Sequence, residues 1–566
     1  MLKPFVELSL SLMKRVLRSA ALSVVASLVM APAGLAGETA PLHPSVIPLP
    51  AKSKMGQGFF VATNRTTIEA NGQGASETAQ YLADVLRRST TLELPILHGQ
   101  GRSGDSTIIL STYSDAPDLG PEGYKLVIEP RKVSINANTA AGLFYGAQTF
   151  LQLLPPAVLS DAAVPNTVWS AQCVRIEDKP RFAWRGLLLD VSRHFFSKEE
   201  LKQLMDAMAI HKINVLQLHL TDDNGWRVEI KKYPLLTEKG AWRDSIDFGL
   251  DPKSSKAYRS DGKYGGFYTQ DDIRELVKYA QIRNINIVPE IEMPSHAYAA
   301  LSAYPEMRCT GARDSGIYCI GNESTFSFLQ DVLTEIFTLF PGRYIHIGGD
   351  EAPGDQWMSC EKCRAKMEQL GIKQPSQLEH YMIERMGEFV DSHNKILVGW
   401  SEIKEGGGVP PHAVLMDWIG GAVDAANTGH QVVMAPTSTC YFDCLQSTDE
   451  AKEPKPVQHA YVPLPFVYAF DPIPPEVEGA AAKNIIGTEG CVSTEFIPSL
   501  SHAEYMTFPR LCALSEVAWS PKSSRNWNDF MQRLKLHRSR LDAMHINYRK
   551  QSFIDSSNST SLNAEP

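Results

Sequence analysis

The sequence has no surplus of positive charge: 55 Lys and Arg stand against 64 Asp and Glu, a formal net charge of -9 over 566 residues. No Lys/Arg-rich run is interleaved with aromatics, so nothing in it is suited to gripping a phosphate backbone, and nucleic acid is not an expected partner. Cysteine is sparse and scattered. There are nine, an odd count that leaves at least one outside any pairing. Cys360 and Cys363 make a lone "CEKC". No second CxxC or HxxxH completes a zinc set and no thioredoxin-like βαβ pattern surrounds it, so a local structural role is expected. Cys309 and Cys319 flank the loop "CTGARDSGIYC", and a disulfide between them is expected to close it in an oxidising compartment.

Long apolar runs are missing too. The stretch from Ala20 to Met30 is followed at once by Pro32 and Gly34 and is too short for a membrane span, so no stable membrane insertion is expected. With Lys14, Arg15 and Arg18 before it and "APAGLAGE" after it, it reads as an export signal over residues 1–36, cut after Ala36, with Met13 an alternative start. An exported protein, periplasmic or secreted, is the expectation. No Cys stands at the cut site, so nothing suggests lipid attachment there.

What remains is an ordinary globular chain, 43% hydrophobic and 21% charged, long enough for a large core and more than one domain. Over residues 37–180, short β-rich runs such as "STIILST" and "YKLVIEP" mix with the helix-like "ASETAQYLADVLRRS", the pattern of a small α+β domain. After "EDKPRFAW" the chain changes to alternating apolar strands and amphipathic helices. Eight strands can be counted, at 186–191, 214–221, 285–292, 344–348, 396–400, 413–418, 431–436 and 484–490. Ser197 with Glu200 and Thr269 with Asp272 mark helix starts between them. The fold class is therefore α/β, a (β/α)8 TIM-like barrel over residues 181–547, followed by a polar tail, 548–566, expected to be disordered.

Such barrels build their active sites from the loops at the C-terminal ends of the strands. In order these ends carry Asp190 and Arg193; Asp222 and Asp223; Glu292 and His296; Asp350 and Glu351; Trp400; Asp417 and Trp418; Tyr441 and Asp443; and Glu495. Acids, aromatics, one Arg and one His converging on one face suit a sugar. Flat rings match the C–H face of a pyranose, while carboxylates and guanidinium bond vicinal hydroxyls.

The fourth strand end reads "HIGGDEAPGDQW". An isolated Asp-Glu pair is most often a solvated loop; here Gly348 and Gly349 end a strand and let the backbone turn tightly before the acids. Together with "WRGLLLDVSRHF", "LTDDNGWRVEIKKYP", "IVPEIEMPSH", "GWSEI", "LMDW", "CYFD" and "STEFIP", this segment resembles glycoside hydrolase family 20, the exo-acting β-N-acetylhexosaminidases, over roughly residues 40 to 545.

The resemblance implies a hydrolase needing no cofactor and no metal, acting on glycans with a terminal N-acetylhexosamine. It implies Glu351 as general acid/base and Asp350 as the residue that orients the substrate's 2-acetamido group, which itself attacks the anomeric carbon. Tyr441 would bond the acetamide carbonyl, and Asp222, His296 and Glu351 would form a relay. Arg193 would grip the 3- and 4-hydroxyls, Asp443 and Glu495 the 4- and 6-hydroxyls, and Trp400 and Trp418 would wall the acetamide methyl. The protonated acid Glu351 should need a raised pKa.

Two departures stand out. "EIEMPSH" replaces the family's "EIDMPGH", so that Glu292 keeps the charge on a longer arm and Ser295 stands for Gly. Ser493 occupies the place of the family's Trp, which opens an alternative, a same-fold enzyme for a decorated or larger non-reducing end. A further alternative, an inactive sugar-binding relative, is opposed by the intact Asp350, Glu351 and Tyr441.

Overall fold

The computed structural model describes residues 43–98, 105–112, 116–244, 262–309, 316–456 and 460–553. The expected export signal and residues 554–566 of the expected tail lie outside them. Residues 549–553 do not behave as a tail: Phe553 is buried against Tyr548, and Arg549 pairs with Glu453 at 2.7 Å. An aromatic and an Arg ten and six residues past the end of helix Trp527–Ala543 find partners the local polarity did not reveal.

The N-terminal layer is a seven-stranded mixed sheet in the order Lys52–Val61, Ser170–Asp178, Tyr124–Glu129, Lys132–Ala137, Ser106–Thr112, Thr66–Asn71, Ile96–His98. Helices Ala75–Thr90 and Ala140–Leu153 pack on it. The sheet is fastened to the rest of the chain by buried polar contacts. Asp178 accepts from Tyr124, Lys212 and Trp519, and Arg185 lies bidentate on Glu122 at 2.9 Å.

All eight expected barrel strands are present: β1 (Trp184–Asp190), β2 (Val215–His219), β3 (Asn286–Glu290), β4 (Tyr344–His346), β5 (Ile396–Trp400), β6 (Val414–Asp417), β7 (Val432–Met434) and β8 (Ile485–Val492). They follow one another in parallel and close by β8 pairing with β1, Gly487 opposite Trp184 through Val492 opposite Leu189. Every residue of β1 and β2 is buried, as expected of strands covered by side chains inside and helices outside. The helix after β1, Lys198–Ile210, starts with the Ser197/Glu200 capping box, and Gln270–Ile282 before β3 with Thr269/Asp272. Both are local signals, and both hold.

The expected Cys309–Cys319 disulfide is not formed. Both side chains turn instead toward Cys360 and Cys363, the contacting pairs lying 54 and 41 residues apart in sequence. Among the described residues no helix is long and apolar enough to cross a membrane.

Candidate active site

After β4 the chain must turn where space is nearly absent. Gly348 and Gly349 adopt φ of +69° and +87°. A Cβ on Gly348 would sit 1.8 Å from the Glu292 carboxylate, and one on Gly349 would sit 2.6 Å from Ile403. Glu351 then takes φ +50° and His296, on the loop after β3, φ +51°. Left-handed backbone costs a non-glycine residue about 1–2 kcal/mol, so each must be held by its surroundings. The Ser295 hydroxyl does part of this by donating to the backbone carbonyl of Asp350. Ser295, where the resemblance leads to Gly, thus ties the two loops together.

These two strained residues face each other. His296 Nε2 lies 3.4 Å from both Asp350 and Glu351, while its Nδ1 lies 3.5 Å from Asp222. Asp222 also bonds Arg193 at 2.7 Å and His219 at 3.0 Å, and His219 bonds Glu290 at 2.8 Å. Arg193 is further held by Asp190 at 3.2 Å and stands 3.9 Å from Glu495. The expected relay is therefore the outer end of a longer chain that runs down into the barrel.

The electrostatics follow from this chain. Burial works against charge on His296, but Asp222, Glu351 and Asp350 outweigh it and hold the imidazolium charged well above its usual range. The hydrogen bond from His296, against a smaller opposing effect of burial, puts Glu351 below the ordinary carboxylate range. This corrects the expectation of a raised value. A cation beside the acid wins over the neighbouring carboxylates. Asp350, by contrast, is raised by burial, with His296 opposing. Glu292 is pushed well above its normal range by burial, then by Asp350 and Glu290.

The cavity, about 110 Å³, opens between these groups and an aromatic wall. Trp400 and Trp418 meet edge to face at 6.3 Å, and Trp418 stacks on Tyr441 at 6.0 Å and 20°. Trp400 Nε1 donates to Glu290 and Trp418 Nε1 to Glu402, each at 2.9 Å, which fixes both rings. Burial holds the Tyr441 hydroxyl well above its usual range, so it stays a donor. Leu188, Cys491 and Ser493 line another part of the cavity, and Glu495 its rim with Arg193. The Asp443 carboxyl is fully buried, neither of its oxygens has a hydrogen-bond partner among the described residues, and it is raised to about 8 by burial and then by Glu495. A wider hollow of about 470 Å³ lies elsewhere, beside Tyr81 and Arg283, but Arg283 is already paired with Asp206 at 2.5 Å.

A strand-end cavity with an acid pair on one imidazolium, a part-buried Arg and an aromatic wall is what a pyranose-processing site requires. Residues 182–522 match the model for glycosyl hydrolase family 20, catalytic domain, and residues 43–179 that for domain 2 of the same family. The chain belongs to glycosyl hydrolase family 20. It is 40% identical over 518 residues to a beta-hexosaminidase of Porphyromonas gingivalis, covering 89% of this chain and 64% of that protein. It thus spans less than two thirds of that relative. A beta-N-acetylhexosaminidase of Cellulomonas fimi is 32% identical, covering 87% of this chain and 93% of its own. Among solved structures, the family 20 exo beta-N-acetylglucosaminidase of Vibrio harveyi, in complex with N-acetylglucosamine, superposes with a TM-score of 0.79 at 33% identity. That match covers 92% of this chain and 81% of that one.

Of the ten site residues expected from the sequence, Arg193, His296, Asp350, Glu351, Trp400, Trp418, Tyr441 and Glu495 line the cavity. Asp222 stands just behind, bonded to two of them, and Asp443 is fully buried. His219 and Glu290 were not expected. Their signal was a polar residue at alternate positions, Gln217 and His219 on β2, and Glu290 at the end of β3 followed by Glu292 just beyond it. Inside a barrel, such a period points polar groups at one another. Gln217 does bond Glu290 at 2.9 Å, and His219 sits opposite it in register. Three carboxylate–histidine groups here have metal-compatible spacing: His219 with Glu290 and Glu292, Asp222 with Asp223 and His296, and His296 with Asp350 and Glu351. In each the imidazole already answers the carboxylates by direct pairing.

Proposed function

We propose that this chain is an exo-β-N-acetylhexosaminidase, releasing terminal β-linked GlcNAc or GalNAc by substrate-assisted hydrolysis with retention. The observation that carries this is the unequal environment of two adjacent acids. Asp350 is 18% exposed with a raised pKa, whereas Glu351 is 61% exposed beside a charged imidazole. The outer acid can reach a leaving-group oxygen. The inner one is placed to accept a hydrogen bond from the acetamide N–H, since its Oδ1 makes none within the described protein.

The Tyr441 hydroxyl donates to the acetamide carbonyl, and the Trp400–Trp418 wall takes the methyl. With the amide aimed in this way, its oxygen closes on the anomeric carbon and breaks the glycosidic bond, giving an oxazoline that water later opens. Glu351 donates the proton to the leaving oxygen. In the free enzyme that proton sits on His296, whose Nε2 stands 3.4 Å from the Glu351 carboxylate. A sugar displacing water from the exposed Glu351 carboxyl raises its proton affinity, and the shared proton moves to the acid when it is needed. Glu351 then takes a proton from water in the second half. Arg193 and Glu495 bind the far hydroxyls together with Asp443, whose carboxylate oxygens have no partner within the described protein. The same reading includes export to the periplasm or the medium, supported by the leader pattern.

An aryl N-acetyl-β-glucosaminide and the matching β-glucoside, followed by nuclear magnetic resonance of the first-formed anomer, test this. The N-acetylated substrate should be turned over with β-anomer released first, the glucoside hardly at all. A thiazoline mimic of the intermediate should inhibit. Comparable turnover of both substrates would refute the reading.

A further inference from the structure

We propose that Cys309, Cys319, Cys360 and Cys363 form a tetrathiolate zinc site that fastens the loop after β3 to the loop after β4. All four side chains are buried and their sulfurs lie within 4.8 Å of one another. Three of the separations, Cys309 to Cys363, Cys319 to Cys360 and Cys319 to Cys363, are 3.7 Å. A tetrahedron of sulfurs around zinc, each at about 2.3 Å, has edges of about 3.8 Å. Cys319 is equally close to two partners, and so is Cys363, which is the pattern of a cluster and not of two separate bonded pairs.

The surrounding backbone is built for it. Arg308 bridges Tyr318, and Cys319 N donates to the Met307 carbonyl at 2.9 Å, which brings Cys309 and Cys319 side by side across their loop. Cys360 precedes, and Cys363 stands in the first turn of, helix Glu361–Leu370, where the helix end favours a thiolate. Gly321 N points at Cys363 Sγ from 3.4 Å, and a Cβ on Gly321 would lie 2.2 Å from the Lys362 carbonyl. Amide-to-sulfur hydrogen bonds of this kind orient and stabilise metal-bound thiolate. Close approach of the two backbones requires the glycine.

A second buried group, His211, Cys512 and His537, also has ligand spacing. Its two Nε2 atoms are 2.8 Å apart, a direct hydrogen bond, and shorter than the about 3.3 Å expected for two nitrogens sharing one tetrahedral zinc at about 2.0 Å. It is a hydrogen-bonded triad.

The staple bears on the site. Cys309 lies thirteen residues beyond His296 and Cys360 nine beyond Glu351, so the ion locks together the loops whose strained residues meet across the acid. Trp357 Nε1, donating to the Tyr318 carbonyl at 3.0 Å, crosses the same gap.

The test uses the full chain, purified without chelator or added metal. Plasma mass spectrometry should find one zinc per chain, and X-ray absorption at the zinc edge should give about four sulfurs at about 2.3 Å. A mercurial should release the ion. Cys309→Ser and Cys363→Ser should each lower the zinc ratio severalfold, whereas Cys173→Ser, in the N-terminal sheet, should leave it at one. If the cluster variants do not fold, the stoichiometry and spectrum of the wild-type chain decide. Zinc absent with an unreduced mass short by four hydrogens would replace the site by two disulfides. Zinc absent with four reactive thiols would overturn it equally.

Discussion

Replacing Gly348 by Ala tests whether the turn before the acid pair is made possible by missing atoms. The new Cβ would meet the Glu292 carboxylate, 1.8 Å from Oε2 and 2.4 Å from its carbon. Glu292 is only 1% exposed and has no open space to swing into. Overpacking of a buried site costs about 1–3 kcal/mol. The φ of +69° at this position adds about 1–2 kcal/mol for any residue with a Cβ. The variant should therefore be about 2–5 kcal/mol less stable, and Asp350, two residues on, should be displaced enough to lower kcat. Glu292→Asp, which draws the carboxylate back by one methylene, should relieve the clash and leave the backbone cost. In a double-mutant cycle, by urea unfolding and by turnover of an aryl N-acetylglucosaminide, the pair should couple favourably by about 0.5–3 kcal/mol. Strictly additive losses would show that Glu292 is not what Gly348 must avoid.

Other expectations concern the acids and the pocket. Glu351→Gln should lose most activity on substrates with poor leaving groups and much less on activated aryl glycosides, while Asp350→Asn should hurt both kinds; equal fractional loss for the Glu351 variant would remove it as the acid. The His296 pKa is raised in the folded chain, so its pairing contributes stability in full below about pH 6.5, the unfolded value, and loses it as pH rises through the folded one. The stability difference between wild type and His296→Gln should therefore be largest near pH 6 and shrink toward pH 10; a constant difference in urea midpoints would refute the charge assignment. Ser493→Trp should tighten unsubstituted GlcNAc severalfold, an aromatic face adding on the order of 1 kcal/mol, and should impair a 6-substituted or branched substrate. Weaker binding of plain GlcNAc in steady-state kinetics would mean that the space beside Leu188 and Cys491 is already filled.

The sequence by itself determined everything that depends on neighbours along the chain. Runs such as "GLLLDV" could only be strands covered on both sides, and Ser197–Glu200 and Thr269–Asp272 could mark helix starts because a cap is made within one turn. Eight such units in series leave few closures other than a barrel. That closure in turn places Arg193, His296, Asp350, Glu351, Trp400, Trp418, Tyr441 and Glu495 at one mouth.

Charge and pairing were decided only in three dimensions. The protonation of Glu351 depends on a cation 55 residues away in sequence, and His296 is a cation because Asp222 is buried beside it. Glu292 and Asp443 are both raised chiefly by burial, which neither "EIEMPSH" nor "CYFD" shows. Cys309 and Cys319 face Cys360 and Cys363 because β3 and β4 are neighbours whose loops rise side by side. Electrostatic and hydrogen-bonding interactions act through space, over a few ångströms and in whatever dielectric burial creates, so a linear pattern can name the groups but cannot set their partners.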